Sequence, residues 1–370
     1  MIKILFLIDN IHGGGAEKVL RTLVNHMDQS AFDITVQTVE EADPAKYLAP
    51  GIRYKAINRC KSAWGRKIFS YWVRLCAEVK LLYPLYIKDD YDIEAAYLEC
   101  GPTKMLAGST NKKAAKLAWV HCDLEKKEGI AGQIGRMKKF YGAYDQAVCV
   151  SQDVKRSFER LFGNAAEARV LYNVNDEDEI TEKAAAFVVP KARRRLVAVG
   201  RLAHQKGFDR LLEACWRLKR DGYDFELQIL GEGPERPALE QIIREKKLGD
   251  CVELLGFQEN PYPYLKTADM VVCSSRYEGL STVVIESLIL GKAIVTTPCT
   301  GMDELLGDSR YGLITEDSAE GIYTGIKALL DAPQRLADYE KAAAQRGKDF
   351  SKETILAQTE EFFRSVLKRK

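Results

Sequence analysis

The sequence predicts an α/β protein made of two doubly wound domains that face each other across a cleft. Three observations support this prediction. The chain has 370 residues, which is enough for two domains that each bury a core. Continuous apolar runs alternate with segments of helical periodicity, a pattern typical of parallel sheets covered by helices. The alternation stops at the polar, acidic stretch "NDEDEITEK" (175–183), which we interpret as a linker, and then starts again.

The first half begins with a βαβ unit. The apolar run Ile2–Ile8 predicts a buried strand, the helical stripe that starts at Ala16 predicts a helix, and Phe32–Val39 predicts a second strand. We expect Ser151 to cap the N-terminus of a later helix, because its hydroxyl can accept a hydrogen bond from a free backbone N–H. Further strands of this sheet are predicted at 92–98, 115–120, 146–151 and 168–174.

The second half repeats the architecture without repeating the sequence. A strand at Arg194–Gly200 is followed by the helix "FDRLLEACWRLK" and by a strand at Phe225–Gly231. The runs "VELLGF", "MVVCSS" and "AIVTT" continue the sheet. The predicted domains are therefore 1–187 and 188–350. Ligands of such sheets bind beyond the carboxyl ends of the strands, so we expect a cleft lined by the loops after Ile8, Val120, Val199, Leu230, Phe257 and Ser274.

Composition limits the class of protein. The formal net charge is +2, which argues against nucleic acid as the main partner. The nine cysteines are odd in number and form no Cys-x-x-Cys pair, which favours buried thiols in a reducing compartment. The four histidines form no pair at metal-ligand spacing. The first apolar run meets Asp9 too early for a signal peptide, and no run is long enough to span a bilayer. We therefore expect a cytoplasmic protein.

A glycine-rich turn, "DNIHGGGAEKVL", separates the first strand from the first helix. Glycines let a ligand approach the backbone, and a helix N-terminus offers N–H groups to an anion. Gly13 and Gly15 match the start of a dinucleotide-binding turn, but Lys18 occupies the third glycine position. Glu40 could still serve as the acidic residue after the second strand. The prediction of a dehydrogenase is therefore weakened rather than excluded. A tight turn that binds no ligand is the alternative to any phosphate site here.

Two cations follow the first strand of the second half. Arg201 and Lys206, in "VGRLAHQKGFDRLLEA", lie between a predicted strand and a helix. Such cations suit a diphosphate, and an arginine can hold two of its oxygens at once. Solvated surface charges are the alternative.

Two glutamates, Glu278 and Glu286, lie in "EGLSTVVIESLILGKAIV" with seven residues between them. If a helix starts near Ser281 or Thr282, the backbone N–H groups of 279–282 converge on one anion site. Carboxylates do not bind phosphate there, but they suit the hydroxyls of a sugar. The alternative is a pair of acids that the helix dipole favours. That alternative explains Glu278 acceptably but Glu286, with its apolar neighbours, less well.

The spacing of these glutamates resembles the E-x7-E motif of retaining glycosyltransferases with the GT-B fold, and the stretch around it strongly resembles glycosyltransferase family 4. The resemblance covers nearly the whole chain, because further motifs occur in the family's order. They are "GGGAEK", "WVHCDL", "VGRLAHQKG", "LGEGPE", "LGFQEN" and "GMDELL". One such motif is weak evidence, whereas the ordered set is specific.

The resemblance implies roles for matching positions. Gly14 and Gly15 would approach the donor phosphates, Arg201 and Lys206 would neutralise the leaving diphosphate, and the backbone near Phe257 would meet the nucleobase. Glu286 would accept from the ribose and Glu278 from the transferred sugar. His121 would lie near the anomeric carbon, although a strand-end histidine bound to the backbone is an equal alternative. The candidate catalytic residues are His121, Arg201, Lys206 and Glu278. The candidate donor-binding residues are Gly14, Gly15, Arg201, Lys206, Phe257, Glu278, Gly279, Leu280, Ser281, Thr282 and Glu286.

The sequence departs from the common family pattern near the donor sugar. "EGLS" replaces an aromatic-glycine pair and "TGMDELL" replaces a double glycine, so the identity of the sugar stays open. As in the family, we expect the last helix, 351–370, to pack back on the N-terminal domain. Asp176–Asp178 matches a D-x-D metal motif of another transferase class. We interpret it as a solvated acidic run and expect no metal and no cofactor.

The sequence therefore predicts a hexosyl- or N-acetylhexosaminyltransferase that uses a nucleotide-diphosphate sugar, preferably a UDP-sugar. Its acceptor would be a saccharide or a lipid-linked saccharide, bound by the N-terminal domain, in the synthesis of cell-surface polysaccharide or glycan. The alternatives are a nucleotide-sugar epimerase of related fold and a non-catalytic nucleotide-sugar-binding partner of another transferase. Segment 61–88, rich in aromatic and basic residues, is a candidate peripheral contact with the inner face of the membrane. It could instead cover one face of the first sheet.

Overall fold

The computed structural model describes residues 1–58, 62–127 and 131–368. The chain forms two compact units, each built on a parallel sheet. The first comprises Met1–Val174 with Glu353–Lys370, and the second comprises Asn175–Lys352. The predicted α/β class with two doubly wound sheets is confirmed.

The first unit contains a seven-stranded parallel sheet in the order β3-β2-β1-β4-β5-β6-β7. The strand order reverses between β1 and β4. The sequence prediction missed β3, because this edge strand has mostly half-exposed side chains and therefore shows no apolar run. The strands are β1 (Ile2–Ile8), β2 (Phe32–Glu40), β3 (Arg53–Asn58), β4 (Ile93–Ala96), β5 (Ala115–Val120), β6 (Gln146–Cys149) and β7 (Glu167–Val170).

In the described part of the first unit, six α-helices connect these strands. Ser151 caps one of them as predicted, since its side chain accepts a hydrogen bond from the backbone N–H of Val154. The helices are α1 (Gly15–His26), α2 (Ala63–Glu78), α3 (Leu82–Tyr86), α4 (Gly101–Leu106), α5 (Ile134–Tyr141) and α6 (Gln152–Phe162).

The second unit contains a six-stranded parallel sheet in the order β10-β9-β8-β11-β12-β13, so its order reverses between β8 and β11. Its strands are β8 (Arg194–Val199), β9 (Phe225–Leu230), β10 (Val252–Gly256), β11 (Met270–Cys273), β12 (Ala293–Thr296) and β13 (Leu313–Ile314). Its helices are α7 (Glu177–Ala184), α8 (Phe208–Arg220), α9 (Arg236–Glu245), α10 (Tyr262–Thr267), α11 (Thr282–Ile289), α12 (Met302–Leu306), α13 (Ala319–Leu330) and α14 (Pro333–Gly347).

The predicted linker at 175–183 is wrong, because this stretch forms helix α7. Asp176 caps the helix by accepting a hydrogen bond from the N–H of Glu179 at 3.2 Å. Ile180 and Ala184, four residues apart on one helix face, are buried in a core cluster of the second unit. Two buried apolar residues in an acid-rich stretch are too few to predict a helix from the sequence pattern. The units consequently divide after Val174 rather than after residue 187.

The last helix, α15 (Lys352–Leu367), packs on the sheet of the first unit. Its anchor is Phe363, which is fully buried. The ring of Phe363 lies 6.0 Å from that of Phe6, 6.2 Å from that of Phe32 and 6.1 Å from that of Trp119, measured between centroids. A chain that leaves the first unit at Val174 therefore returns to it at its end.

Within the described ranges, no helix is both long and apolar enough to cross a membrane. The same part of the chain contains eight cysteines, all of them free thiols and six of them buried, as predicted for reduced cysteines. Lys61, part of the candidate membrane segment, lies outside the described residues.

Candidate functional site

The strand-order reversal of the second unit marks its candidate site. Ligands of open α/β sheets bind where the order reverses, beyond the carboxyl ends of the strands. Here the ends of β8 and β11 meet the start of α11, and a small pocket lies between them. Its lining residues are Val199, Lys206, Phe208, Val272, Cys273, Ser274, Ser275, Ser281 and Val283.

The structure separates the two predicted cations. Lys206 ends a short 3-10 turn (His204–Lys206) and points into the pocket, whereas Arg201 is exposed. Gly207 follows with a φ of +61°, and a Cβ there would lie 2.2 Å from the carbonyl oxygen of Ser274. Only glycine permits this conformation and this close approach. The turn after β8 is thereby held directly against the end of β11.

Lys206 and Glu278 form a buried ion pair. The Nζ of Lys206 lies 2.6 Å from Oε1 of Glu278, and the hydroxyl of Ser275 donates to the same oxygen at 2.6 Å. Burial by itself would lower the pKa of Lys206, but the Glu278 carboxylate outweighs it, and the pKa is raised. A permanent cation therefore stands at the ends of β8 and β11, with the carboxyl group of Glu278 beside it.

Two further contacts fix the loops that carry this pair. Arg276 binds Asp209 through two hydrogen bonds, of 2.8 and 2.6 Å, in the fork geometry that arginine favours. The backbone N–H of Arg276 donates to the carbonyl of Gln205 at 2.7 Å, and the side-chain amide of Gln205 donates to the carbonyl of Tyr277 at 3.0 Å. The loop 204–206 and the loop 274–278 are therefore bound together, which keeps the Lys206–Glu278 geometry rigid.

Helix α11 begins at Thr282, as predicted, and Ser281 is its N-cap residue. The Ser281 side chain makes no capping hydrogen bond, so the helix start is not closed by its own cap. Gly301, with a φ of +83°, approaches so closely that a Cβ there would lie 2.6 Å from the carbonyl oxygen of Gly279. A helix start with its positive dipole end at a pocket suits an anion.

Glu286 lies inside α11 and is only 4% exposed. Its Oε1 accepts a hydrogen bond from the phenol of Tyr262, on α10, at 3.3 Å. This bond offsets part of the free-energy cost of burying a carboxylate. Glu278 and Glu286 therefore have different partners in the structure, a lysine with a serine in one case and a tyrosine in the other.

Phe257 follows the last residue of β10, and its side chain is exposed. Strand β10 pairs with β9, which pairs with β8, so the backbone at Phe257 lies at the same sheet edge as the pocket. Gly231, at the end of β9, has a φ of +143°, and a Cβ there would lie 1.9 Å from the carbonyl oxygen of Gly200. This glycine allows the strand ends to converge.

In the first unit, the exposed Gly14 ends the turn after β1, and the exposed Gly15 is the first residue of α1. Gly14 is the N-cap residue of α1 and its backbone is extended. A Cβ on Gly14 would lie 2.4 Å from a carboxylate oxygen of Glu17, so the missing side chain leaves room for that acid. The turn lies beside the point where the order of this sheet reverses.

His121 directly follows β5. Its backbone N–H donates to Glu99 at 3.2 Å, and its ring lies 4.9 Å from that of Tyr97. The Nε2 atom is buried without a hydrogen-bond partner. Burial lowers the pKa of His121 to about 4, against the opposing effect of Glu99. The imidazole is therefore neutral at neutral pH.

Two acidic residues of this sheet edge, Glu99 beside His121 and Asp9, were not predicted from the sequence. Glu99, after β4, pairs with Lys127 at 3.1 Å and accepts from the thiol of Cys122 at 2.8 Å. Burial alone would raise the pKa of Glu99, but Lys127 and His121 lower it to about 2. Asp9, after β1, behaves oppositely: burial and then Glu17 raise its pKa to about 6. Both residues could have been predicted from the sequence, because each follows a predicted strand and these two strands are neighbours in the sheet.

The acidic run in the second unit has partners of its own. Asp176 caps α7, and the Nζ of Lys352 lies 2.8 Å from Asp176 and 3.3 Å from Asp178. In the described part of the chain, no group of three or more histidine, cysteine, aspartate or glutamate side chains could hold a metal ion.

Two family models match the chain, one after the other. The model described as Glycosyltransferase Family 4 matches residues 13–179, and that described as Glycosyl transferases group 1 matches residues 179–346. Together they span both units.

Curated relatives are similar over different lengths. An amylovoran biosynthesis glycosyltransferase of Erwinia amylovora is 25% identical over 96% of this chain and 98% of its own length. A Campylobacter jejuni N-acetylgalactosaminyltransferase, named for a diphospho-undecaprenol acceptor, is 34% identical over 57% of this chain. The chain spans 59% of the length of that relative.

Solved structures share the fold at low sequence identity. A sucrose-phosphate synthase from Thermosynechococcus elongatus superposes with a TM-score of 0.81 at 17% identity, over the whole of both chains. An Anabaena HepE protein, solved with UDP and glucose, gives a TM-score of 0.79 at 19% identity, over 99% of this chain and 100% of its own.

Proposed function

We propose a specific reaction for this chain, which belongs to the family 4-like glycosyltransferases of the GT-B fold. The chain transfers a hexosyl or N-acetylhexosaminyl group from a UDP-sugar to a saccharide or a lipid-linked saccharide, and the anomeric configuration is retained. Relatives named for the biosynthesis of amylovoran and of the lipopolysaccharide core support a role in polysaccharide biosynthesis.

The observation that carries the proposal is the pocket where a buried cation, a carboxylate and a helix start meet. Lys206 and the N-terminus of α11 offer positive charge to one ligand, and Glu278 offers an acceptor beside them. A diphosphate joined to a sugar matches both features, because its negative oxygens suit the positive charge and its sugar hydroxyls can donate hydrogen bonds to the carboxylate. Inorganic phosphate alone would leave the carboxylate unexplained.

The departing diphosphate develops negative charge, which is the largest demand of the reaction. Lys206 and the backbone of Gly279–Thr282 stabilise that charge, and Arg201 adds a second cation from its exposed position after β8. Because these donors are fixed in place by Gly207 and by the Arg276–Asp209 contact, they need little reorganisation when charge appears. A metal ion is not required for this role.

The carboxylates select the rest of the donor. Glu278 accepts hydrogen bonds from hydroxyls of the transferred sugar, and Glu286 accepts from the ribose. The backbone at Phe257, an exposed residue, contacts the nucleobase. Complexes of the Anabaena HepE protein with UDP and with UDP-glucose support uracil as the base.

The acceptor binds to the first unit. Its hydroxyl oxygen forms a bond to the anomeric carbon, the bond from that carbon to the phosphate oxygen breaks, and the hydroxyl proton passes to the leaving phosphate. Attack on the same face as departure retains the configuration without a covalent enzyme intermediate. We assign to His121, whose imidazole is neutral and whose buried Nε2 has no hydrogen-bond partner, the role of accepting a hydrogen bond from the reacting sugar. The Campylobacter relative supports a diphospho-lipid-linked acceptor.

A two-stage experiment tests this function. Thermal unfolding is first measured with UDP-, GDP- and ADP-sugars, because a ligand of the folded state raises its apparent stability. The stabilising donor is then incubated with a lipid-linked oligosaccharide extract. We expect UDP release only when acceptor is present, and an α-linked product from an α-linked donor by NMR. UDP-sugar consumption without acceptor, giving an isomeric nucleotide sugar, would identify an epimerase. Stabilisation without any turnover would identify a non-catalytic binding protein.

A further inference from the structure

An apolar stripe lies on the exposed side of helix α2. The side chains of the stripe are spaced by seven, four and four residues, so they share one helix face. The α2 stripe consists of Trp64, Tyr71 and Leu75 on the helix and of Val79 directly after its last residue, which are 80%, 65%, 65% and 57% exposed. Leu81 and Leu85, in and before α3, extend it and are about half exposed.

This stripe does not serve the packing of its own unit. The opposite face of α2 carries Val73, Cys76 and Ala77, which are buried. The helix therefore has two apolar faces, and a surface helix of a globular protein normally has one. Contiguous exposed apolar surface marks an interaction site, because covering it is favourable by about 25 cal/mol per Å².

The sequence around the stripe is rich in basic residues. Residues 62–88 contain five basic residues and one acid, Glu78, and α5 contains three basic residues and no acid. The two helices meet at Glu78, which pairs with Arg136 of α5 at 3.4 Å and with Lys104 at 2.5 Å. Lys80 lies over the ring of Phe140, also on α5. The exposed Lys138 and Lys139 extend this basic surface.

We propose that the α2 stripe and the basic surface of α5 bind an anionic lipid bilayer. Tryptophan and tyrosine at the stripe suit the boundary between headgroups and acyl chains, since each has an apolar ring and a polar atom. Lysine and arginine beside them suit the negative leaflet. A helix of 16 residues with charges along it lies in the membrane plane rather than across it. The inference goes beyond the proposed reaction and does not depend on it.

Vesicle flotation without donor or acceptor tests the proposal. We expect the protein to float with vesicles of phosphatidylcholine and phosphatidylglycerol, and much less with phosphatidylcholine alone or at high salt. Trp64→Ser combined with Leu75→Ser should lower the partition coefficient at least about tenfold. Lys138→Glu combined with Lys139→Glu should weaken binding to the anionic vesicles. Val188→Ser, at an exposed apolar position of the second unit, is the matched control and should bind normally.

Tryptophan fluorescence gives a second readout. Brominated lipids should strongly quench the tryptophan fluorescence of the wild type. Trp64→Phe should lose most of this quenching but should still float with the vesicles. A wild type that stays free of all vesicles would overturn the proposal, as would equal loss of binding in Val188→Ser. So would a dimer in light scattering that dissociates in Trp64→Ser, because the stripe would then bind a second copy.

Discussion

The Nζ of Lys206 lies 2.6 Å from Oε1 of Glu278. The cation proposed to stabilise the leaving group and the carboxylate proposed to bind the sugar hydroxyls therefore neutralise each other. A bound diphosphate competes with Glu278 for this lysine, and sugar hydroxyls can take the place of the lysine at the carboxylate. The pair therefore couples the binding of the two halves of the donor.

Removal of Lys206 should cost both activity and stability. Lys206→Met should lower turnover by about 10²-fold or more, as for lost stabilisation of a developing anion. It should also lower the free energy of unfolding by about 3 kcal/mol, because Glu278 is left buried without its cation. The double variant Lys206→Met/Glu278→Gln should recover stability but not activity. Steady-state kinetics and urea unfolding measure the two effects.

Arg201→Ala is the matched control for that experiment. Arg201 is exposed, so its removal should leave stability unchanged within about 0.5 kcal/mol. We expect its turnover to fall by about 10²-fold as well, since the proposal gives it the same diphosphate. Near-normal activity in both single variants would contradict the assignment of these cations.

Activity should survive EDTA. Asp176 is held by Lys352 and caps α7, so the D-x-D match is already engaged in structural contacts. Turnover measured before and after chelation, with Mn²⁺ and Mg²⁺ added back, should stay constant. Loss of activity that Mn²⁺ or Mg²⁺ restores would show that the reaction needs a metal ion.

The last helix should be essential to the first unit. Phe363→Ala would remove a fully buried ring that contacts Phe6, Phe32 and Trp119, at a cost of about 3–5 kcal/mol in unfolding free energy. Phe363→Leu should cost less, since it leaves a smaller cavity. Lys368→Ala, at the exposed end, is the control. Removal of residues from Ser351 onward without loss of solubility or stability would contradict the packing.

Acid should destabilise the first unit through His121. The unfolded histidine takes up a proton near pH 6.5 and the folded one only near pH 4, so stability falls as pH drops through this window. His121→Gln should reduce the difference in unfolding free energy between pH 7.5 and pH 5 by about 2 kcal/mol.

Asp9 provides a control of opposite sign. Its folded pKa of about 6 is above the unfolded value of 3.8, so it stabilises the unit as pH falls from 6 towards 4. Asp9→Asn should therefore make acid destabilisation steeper. Urea unfolding of the three proteins at both pH values tests the pair of predictions. Identical pH dependence in wild type and His121→Gln would contradict a buried neutral histidine.

Sequence patterns predicted the fold well where burial is continuous. The runs at Ile2–Ile8 and Met270–Cys273 are strands because both sheet faces are covered, which leaves an unmistakable apolar signal. The edge strand β3 and the acid-rich helix α7 escaped, because their stability depends on tertiary neighbours rather than on a local pattern.

The candidate site was predicted in its residue types but not in its pairing. The start of α11 and the buried position of Glu286 followed from glycine, serine and apolar spacing. The Lys206–Glu278 contact joins residues 72 positions apart, and the Tyr262–Glu286 bond joins two helices. Such partners are set by loop geometry across the sheet edge, which the spacing of residues in one sequence does not encode.

The central claim is that Glu286 and Glu278 bind different parts of one donor. Calorimetry with UDP, which lacks the sugar, tests it most directly. Glu286→Gln should weaken UDP binding by roughly 1.5–3 kcal/mol, the scale of a charged hydrogen bond. Tyr262→Phe, which removes the partner of Glu286 without touching the carboxylate, controls for local packing.

In the same calorimetry, Glu278→Gln should bind UDP at least as tightly as the wild type, because Lys206 is released from its partner, while transfer from the complete donor falls sharply. Thermal unfolding of each variant confirms that it is folded. Equal loss of UDP affinity in Glu278→Gln and Glu286→Gln would contradict the division of roles. Misfolding of Glu286→Gln together with full activity of Glu278→Gln would instead identify both as structural acids.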